Sequence, residues 1–129
     1  MVAADYLAGL HTLLTGCLSI SQTPLGFVRS EARLDHASVW LLSASGRNVD
    51  IRRAMRHAIE AEPGHLAFLC ASKNSPTAKQ AKSLSIDLLE FEQAGGKDGF
   101  LATNSLASFL FLLGRAYSEI VASRRKQPC

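Results

Sequence analysis

Six consecutive residues, 43–48, carry side chains and backbone that could bind a phosphate group. Their sequence is Ser-Ala-Ser-Gly-Arg-Asn, in which the hydroxyls of Ser43 and Ser45 flank Gly46 and Asn48 is placed to cap a following helix. First-turn N–H groups lack intrahelical acceptors and carry the positive end of the helix dipole, so they stabilise an anion. Glycine lets the backbone approach a ligand closely. The segment is a candidate phosphate site, and Ser-x-Ser-Gly is also the pattern of an ordinary helix-capping turn.

The spacing of apolar residues predicts the elements that position this segment. Residues 38–43 and 66–71 are continuous apolar runs, the pattern of strands covered on both faces, which is typical of parallel sheets. Further strands are predicted over 17–21 and 86–91. Helices are predicted over 3–14, from Asn48 or Asp50 to the breaker at 62–64, over 76–82, and from Thr103 to about Ser123, with a short helical turn within 24–33.

This alternation of strands and helices predicts an α/β fold, a three-layer sandwich around a parallel sheet with right-handed crossovers. Ligands of such folds bind beyond the carboxyl ends of the strands. Segments 43–48, 72–75 and 93–104 are therefore expected to meet at one edge of the sheet. The length of 129 residues suits a single domain, assigned to residues 1–123 and followed by a basic tail over 124–129.

Composition narrows the class of protein. Apolar residues at 47% and charged residues at 19% indicate a globular chain, and a net charge of +3 is too small to indicate a nucleic-acid binder. Three widely spaced cysteines without a CxxC pair predict no metal site, and no cofactor is expected. The apolar stretch 106–114 is much shorter than the roughly 20 residues of a membrane span. The N-terminus lacks the pattern of a secretory signal, so the predicted location is the cytoplasm.

Three motifs resemble those of sugar isomerase (SIS) domains. Residues 42–50 resemble the family's Ser-x-Ser-Gly-Glu-Thr-x-Asp signature, 74–78 its Ser-Pro-Leu-Ala turn, and 99–105 its Gly-Val-Ala-Ser-Thr-Lys segment. The motifs occur in the family's order and cover about residues 17–121. The resemblance implies a flavodoxin-like parallel sheet that binds phosphosugars, usually as a dimer with its sites near the subunit interface.

The resemblance also implies roles for individual residues. The phosphate would be held by Ser43, Ser45, Gly46 and Asn48, and the sugar side would be lined by Ser75, Thr103 and Asn104. Two departures from the family lie in the phosphate segment itself. Arg47 replaces the signature's glutamate and adds a positive charge beside the predicted phosphate, while Asn48 replaces its threonine and keeps a polar side chain.

A base for catalysis is harder to identify. Aldose-ketose isomerisation needs a base that moves a proton between adjacent carbons. The family's isomerases carry a glutamate at the position of Lys97, and its lysine is Asn104 here. Asp98 is then the candidate catalytic base. His57 and His65 are alternative bases, and each also fits a structural role, on a helix surface and at the start of a strand.

The beginning of the chain also differs from the family. SIS domains normally start with a strand and a Gly-x-Gly-x-Ser-like loop, whereas this chain starts within the helix that should follow. The sheet is therefore expected to lack the family's first strand. An uncovered sheet edge favours pairing with another chain, so a homodimer or higher oligomer is predicted.

The predicted function is phosphosugar binding of the SIS type, in a regulatory or weakly catalytic domain. One alternative is an aldose-ketose phosphosugar isomerase. Another is an interaction module that keeps the fold without a working site and contacts a partner through the apolar helix 106–113 or through arginines 52, 53 and 56. No aromatic stacking platform accompanies these arginines, so nucleic acid is not the predicted partner.

Overall fold

A computed structural model describes residues 2–84, 86–91 and 103–126 of the chain, with side chains described for 3–84, 86–91 and 109–123. Its elements are α1 (Val2–Thr15), α2 (Pro24–Val28), β1 (Ser38–Ser43), α3 (Val49–Ala61), β2 (His65–Cys70), α4 (Pro76–Ser83), β3 (Asp87–Glu90) and α5 (Thr103–Lys126). The chain divides into two compact units. One comprises Met1–Ser21 and Lys97–Cys129, and the other comprises Gln22–Gly96.

The unit spanning Gln22–Gly96 is built on a parallel sheet with the strand order β1-β2-β3. In its register Ser38 lies opposite His65 and Ser43 opposite Cys70, while β3 joins the sheet with Asp87 opposite Ala67. Helices α3 and α4 are the crossovers that return the chain to the start of the next strand. The predicted α/β class with a parallel sheet is therefore confirmed.

The core of this unit lies between the sheet and helices α3 and α4. Successive residues of a strand point to opposite faces, so one face of the sheet supplies every second residue to the core. Leu41 and Phe68 from this face pack with Met55 of α3 and with Ala78 and Ala81 of α4. The alanines let α4 approach the sheet closely, and Phe68 and Met55 fill the space with no exposed surface.

The ends of α3 and α4 follow from local hydrogen bonding. Asn48 and Ser75 are the N-caps, and their side-chain oxygens accept the N–H groups of Asp50 and Ala78. Helix α3 ends at Glu62, which adopts the left-handed conformation with φ 47°. The predicted capping residue Asn48 and the predicted start of α4 at Pro76 are confirmed.

The other unit contains α1 and α5. His11 Nδ1 lies 2.8 Å from the Tyr117 hydroxyl oxygen, and this hydrogen bond joins the two helices. Burial raises the pKa of the Tyr117 phenol. Helix α1 stops before Gly16, which has φ +76° and therefore supplies the predicted helix stop.

The strand predicted over 17–21 is not formed, and that prediction was wrong. The segment is irregular, and Leu18 and Ile20 are 86% and 73% exposed. Its backbone is tied to the end of α1, since the Ser19 N–H donates to Thr12 Oγ1 and the Cys17 N–H to Thr15 Oγ1. Alternating sequence alone does not make a strand without a neighbouring strand that accepts its hydrogen bonds.

Helix α5 continues to Lys126, so the first residues of the predicted tail, 124–126, are helical. The single-domain assignment over 1–123 stays a prediction. Among the described residues no helix is both long and apolar enough to cross a membrane. The cytoplasmic location also stays a prediction.

Candidate functional site

The predicted phosphate segment connects the carboxyl end of β1 to the first turn of α3, as the sequence indicated. Its side chains form a series of short-range hydrogen bonds to its own backbone. The Gly46 N–H donates to Ser43 Oγ at 2.9 Å, and the Arg47 N–H donates to Ser45 Oγ at 3.2 Å. Asn48 Oδ1 accepts the N–H of Asp50 at 2.7 Å. The segment is thus a pre-formed turn with a capped helix behind it.

Gly46 sits against the next crossover. It has φ +65°, and a Cβ placed on it would lie 2.2 Å from Ser75 Oγ and 3.0 Å from Cys70 Sγ. Its carbonyl oxygen accepts the hydroxyl of Thr77 at 2.8 Å. The position therefore requires glycine for backbone conformation and for packing against α4, which is a different reason from the ligand approach considered from sequence.

Ser75 lies beneath the segment rather than at its surface. Ser75 is 1% exposed. Its Oγ accepts a hydrogen bond from the Ala78 N–H at 3.1 Å, and the Cys70 sulfur lies 3.8 Å from the same oxygen. Ser75 is therefore the N-cap of α4, and its side chain packs closely against Gly46. Its predicted place on the sugar side stays a prediction.

Two hydroxyl protons, the Arg47 guanidinium and the side-chain amide of Asn48 are donors that the segment offers to a ligand. Ser43 Oγ and Ser45 Oγ each accept one N–H group, which leaves each hydroxyl proton available for donation. Ser45 is exposed and Ser43 is half-buried. Arg47 is exposed and, in the part of the chain that the structure describes, forms no ion pair with a carboxylate. The acidic residue in the first turn of α3 is Asp50, which follows the segment directly after Val49.

Two buried residues that were not predicted as site residues, Thr77 and Cys70, lie next to the segment. Thr77 is fully buried and holds the Gly46 carbonyl through its hydroxyl. Cys70 ends β2, and burial raises the pKa of its thiol, with the Glu90 carboxylate adding to the rise and hydrogen bonds from Ser72 and Ser75 opposing it. The polar Thr77 directly after Pro76 was the available signal for the first of these roles.

Glu90 is a carboxylate that the sequence analysis also passed over. It is the last residue of β3 and pairs in register with Cys70, so it lies at the carboxyl edge of the sheet. Its side chain is 13% exposed, and its Oε1 lies 3.6 Å from Lys82 Nζ, a contact too long for a hydrogen bond. A largely buried carboxylate at this edge has the chemistry of a general base.

Asp98, Thr103 and Asn104 stay predictions. Asp98 lies outside the described residues. Thr103 and Asn104 begin α5, in the other compact unit, and their side chains also lie outside the described part. Within the unit spanning Gln22–Gly96 the structure brings together Ser43, Ser45, Gly46, Asn48 and Ser75.

The two histidines considered as bases lie elsewhere in this unit. The ring of His57 packs edge-on against Phe27 of α2, with ring centroids 5.1 Å apart. His65 begins β2, at the amino edge of the sheet and so at the opposite end of the strand from residues 43–48. No group of three or more potential metal ligands occurs within the residues that the structure describes.

Comparison with known proteins gives a likeness of fold to solved structures. No family model matches the sequence, and no curated protein matches it. The fold matches a solved structure from Silicibacter pomeroyi DSS-3, described as a candidate phosphosugar isomerase, with a TM-score of 0.63 and 20% sequence identity. The match covers 95% of this chain and 42% of that protein, so the chain spans less than half of its length. The likeness establishes that this chain has the same α/β fold as that protein.

Proposed function

We propose that this chain is a phosphosugar-binding domain of the SIS type, with residues 43–48 as its phosphate site. The observation that carries the proposal is the pre-formed turn at the carboxyl end of β1. Its two serine oxygens already accept backbone N–H groups, so both hydroxyl protons can point toward a ligand without loss of those bonds. The turn leads directly into the amino end of α3, where the helix dipole favours an anion.

Arg47 adds the charge that a dianionic ester requires. A guanidinium group can donate two parallel hydrogen bonds to phosphate oxygens, and such bonds are stronger than those between neutral groups. The exposed Arg47 has no carboxylate partner within the described residues, so no ion pair must be broken to bind a ligand. Its positive charge offsets the carboxylate of Asp50 in the first turn of α3.

The choice of a sugar phosphate over other phosphate esters rests on two supports. One is the resemblance of three motifs in this chain to SIS domains. The other is the fold shared with a protein described as a candidate phosphosugar isomerase. The turn itself recognises phosphate and carries no contact that distinguishes one sugar from another.

Calorimetric titration with hexose and pentose phosphates, the matching free sugars, nucleoside monophosphates and inorganic phosphate tests the proposal. We expect binding of sugar phosphates and none of free sugars. Ser45→Ala removes one charge-assisted hydrogen bond worth about 1.5–3 kcal/mol, so affinity should fall about 10- to 150-fold. Ser83→Ala, at an exposed serine whose hydroxyl donates to Gln80 O at the end of α4, is the matched control. Equal binding by Ser45→Ala and the unchanged chain would contradict the assignment of this segment.

We propose that the domain binds the phosphosugar in a regulatory or weakly catalytic role. The second candidate function is isomerisation of the bound sugar phosphate. The second candidate is favoured by the description of the structural neighbour. Its base would be Asp98 or, from the position and burial of its carboxylate, Glu90. Turnover of aldose and ketose phosphates is measured for the unchanged chain, Asp98→Asn and Glu90→Gln. Loss of turnover with retained binding identifies the base, and absence of turnover in the unchanged chain leaves phosphosugar binding alone.

Self-association is part of the proposal. Strand β1 has β2 as its neighbour on one side, and on the other side no described residue pairs with it. Trp40 on this strand is 43% exposed. An open strand edge beside an exposed aromatic side chain favours pairing with a second copy. Light scattering coupled to size-exclusion chromatography should give a mass of twice the 13.9 kDa chain or more, and a monomer at all concentrations would contradict this.

A further inference from the structure

Three polar side chains form a hydrogen-bonded chain across the amino edge of the sheet, at the opposite end of the strands from residues 43–48. They are Ser38 of β1, His65 of β2 and Asp87 of β3. His65 Nδ1 lies 2.9 Å from Ser38 Oγ, and His65 Nε2 lies 2.5 Å from Asp87 Oδ2. The same three residue types activate the nucleophile of many hydrolases, where the serine faces Nε2 and the aspartate faces Nδ1; here the two ring nitrogens are exchanged.

The fold explains why these residues meet. Ser38 and His65 are direct partners in the parallel register, and Asp87 pairs with Ala67, two positions beyond His65. Residues two apart in a strand share a face, so all three side chains stand on the same side of the sheet. The three residues are separated by 27 and 22 positions in the chain, so no local sequence pattern indicates that their side chains meet.

The hydrogen bonds direct the proton of the serine. Asp87 Oδ2 accepts a hydrogen bond from Nε2–H, so Nδ1 of the neutral imidazole carries the lone pair and accepts a hydrogen bond from the Ser38 hydroxyl. The indole N–H of Trp40 donates to Ser38 Oγ at 2.8 Å, so this oxygen already accepts one hydrogen bond. The Ser38 hydroxyl therefore donates a hydrogen bond to His65 Nδ1. The indole N–H thus helps to fix the orientation of the Ser38 hydroxyl.

We propose that Ser38 is an activated nucleophile that is acylated by small, uncharged carboxylic esters with good leaving groups. The side chains of His65 and Asp87 are 43% and 73% exposed, so small reagents can reach the group. The exposed Asp87 carboxylate repels anionic esters. This ligand class differs from the phosphate esters proposed for residues 43–48, and the two sites lie at opposite ends of the strands.

The reaction balances within the three residues and water. Ser38 Oγ attacks the carbonyl carbon while its proton passes to His65 Nδ1, and Asp87 stabilises the imidazolium that forms. The tetrahedral intermediate collapses, the C–O bond to the leaving alcohol breaks, and the alcohol takes the proton from His65. Water then attacks the acyl-serine by the same route, which releases the carboxylic acid and restores Ser38.

Covalent labelling of the unchanged chain tests this without a variant. The chain is treated with a fluorophosphonate probe, in which the Ser38 oxygen displaces fluoride from phosphorus, and the labelled peptide is identified by mass spectrometry. Hydrolysis of p-nitrophenyl acetate is followed in parallel. We expect stoichiometric labelling at Ser38 and ester hydrolysis above the background rate. Labelling spread over other serines, or none at Ser38, would overturn the proposal.

Variants separate activation from mere exposure. Ser38→Ala should abolish labelling, and His65→Gln should lower its rate about 100-fold or more because the general base is lost. Ser83→Ala, which changes an exposed serine outside the group, should react as the unchanged chain does. If His65→Gln folds, as judged by circular dichroism, and its Ser38 reacts at the unchanged rate, then the histidine does not activate the serine and the proposal fails.

Discussion

Substitution of Gly46 by alanine tests the packing on which the candidate site depends. The new methyl carbon would lie 2.2 Å from Ser75 Oγ and 2.6 Å from Ser75 Cβ, and the backbone would keep φ +65°. An alanine in the left-handed conformation costs about 1–2 kcal/mol. Overpacking of a well-packed interior costs a further 1–3 kcal/mol or so. Ser75 cannot rotate away cheaply, because its Oγ caps α4 and loss of such a cap costs about 0.5–2 kcal/mol.

Together these terms predict a loss of about 2.5–7 kcal/mol in the free energy of unfolding, which for a typical domain is roughly 5–15 kcal/mol in total. Urea unfolding followed by circular dichroism measures it. Gly9→Ala is the matched control, since Gly9 lies within α1 and a Cβ there would meet no atom within 4 Å. That variant should be stabilised by up to about 1 kcal/mol.

A double variant isolates the contact itself. Ser75→Gly removes the two atoms closest to the new methyl group and leaves Cys70 Sγ at 3.0 Å, so in that background Gly46→Ala should cost little more than the backbone term of about 1–2 kcal/mol. A loss of less than about 1 kcal/mol for Gly46→Ala in the unchanged chain would refute the reasoning. So would an equal loss in both backgrounds, because the contact between positions 46 and 75 would then contribute nothing.

Three further predictions concern the same region. Thr77→Val removes the hydroxyl that donates to the Gly46 carbonyl and should lower the free energy of unfolding, measured in urea, by about 1–3 kcal/mol. Thr77→Ser keeps that hydroxyl and should lower it less. Asn48→Ala should cost about 0.5–2 kcal/mol through loss of the α3 cap, and Asn48→Asp should retain most of it; equal losses would contradict the capping role. The third prediction concerns the Cys70 thiol, whose pKa burial raises above the ordinary value. The folded state then holds this proton more tightly than the unfolded state, so its contribution to stability is present below the ordinary thiol pKa and is lost as pH rises beyond it. Iodoacetamide should therefore modify the exposed Cys17 and spare the buried Cys70 in the folded chain, and equal rates measured by mass spectrometry would contradict the burial.

The sequence alone was sufficient for most elements of the unit spanning Gln22–Gly96. The runs 38–43 and 66–71 became β1 and β2 within one residue of their predicted ends. The reason is physical, since an unbroken apolar run favours a strand of a parallel sheet; β2 is buried from Ala67 to Cys70, whereas Ser38 and Trp40 of β1 are exposed. Asn48 and Pro76 likewise marked helix starts, because capping and the fixed φ of proline depend on local chemistry.

Sequence was insufficient where the outcome depended on a distant partner. Residues 17–21 had the alternation of a strand, yet they bond to the end of α1 and remain irregular. The need for glycine at position 46 comes from Ser75, 29 positions away, and the alignment of Ser38 and His65 comes from the register of β1 on β2. Local propensity and apolar spacing predict most of the segments that become helices and strands. The contacts between those segments decide which side chains meet, and these contacts exist only once the sheet has formed and its register is set.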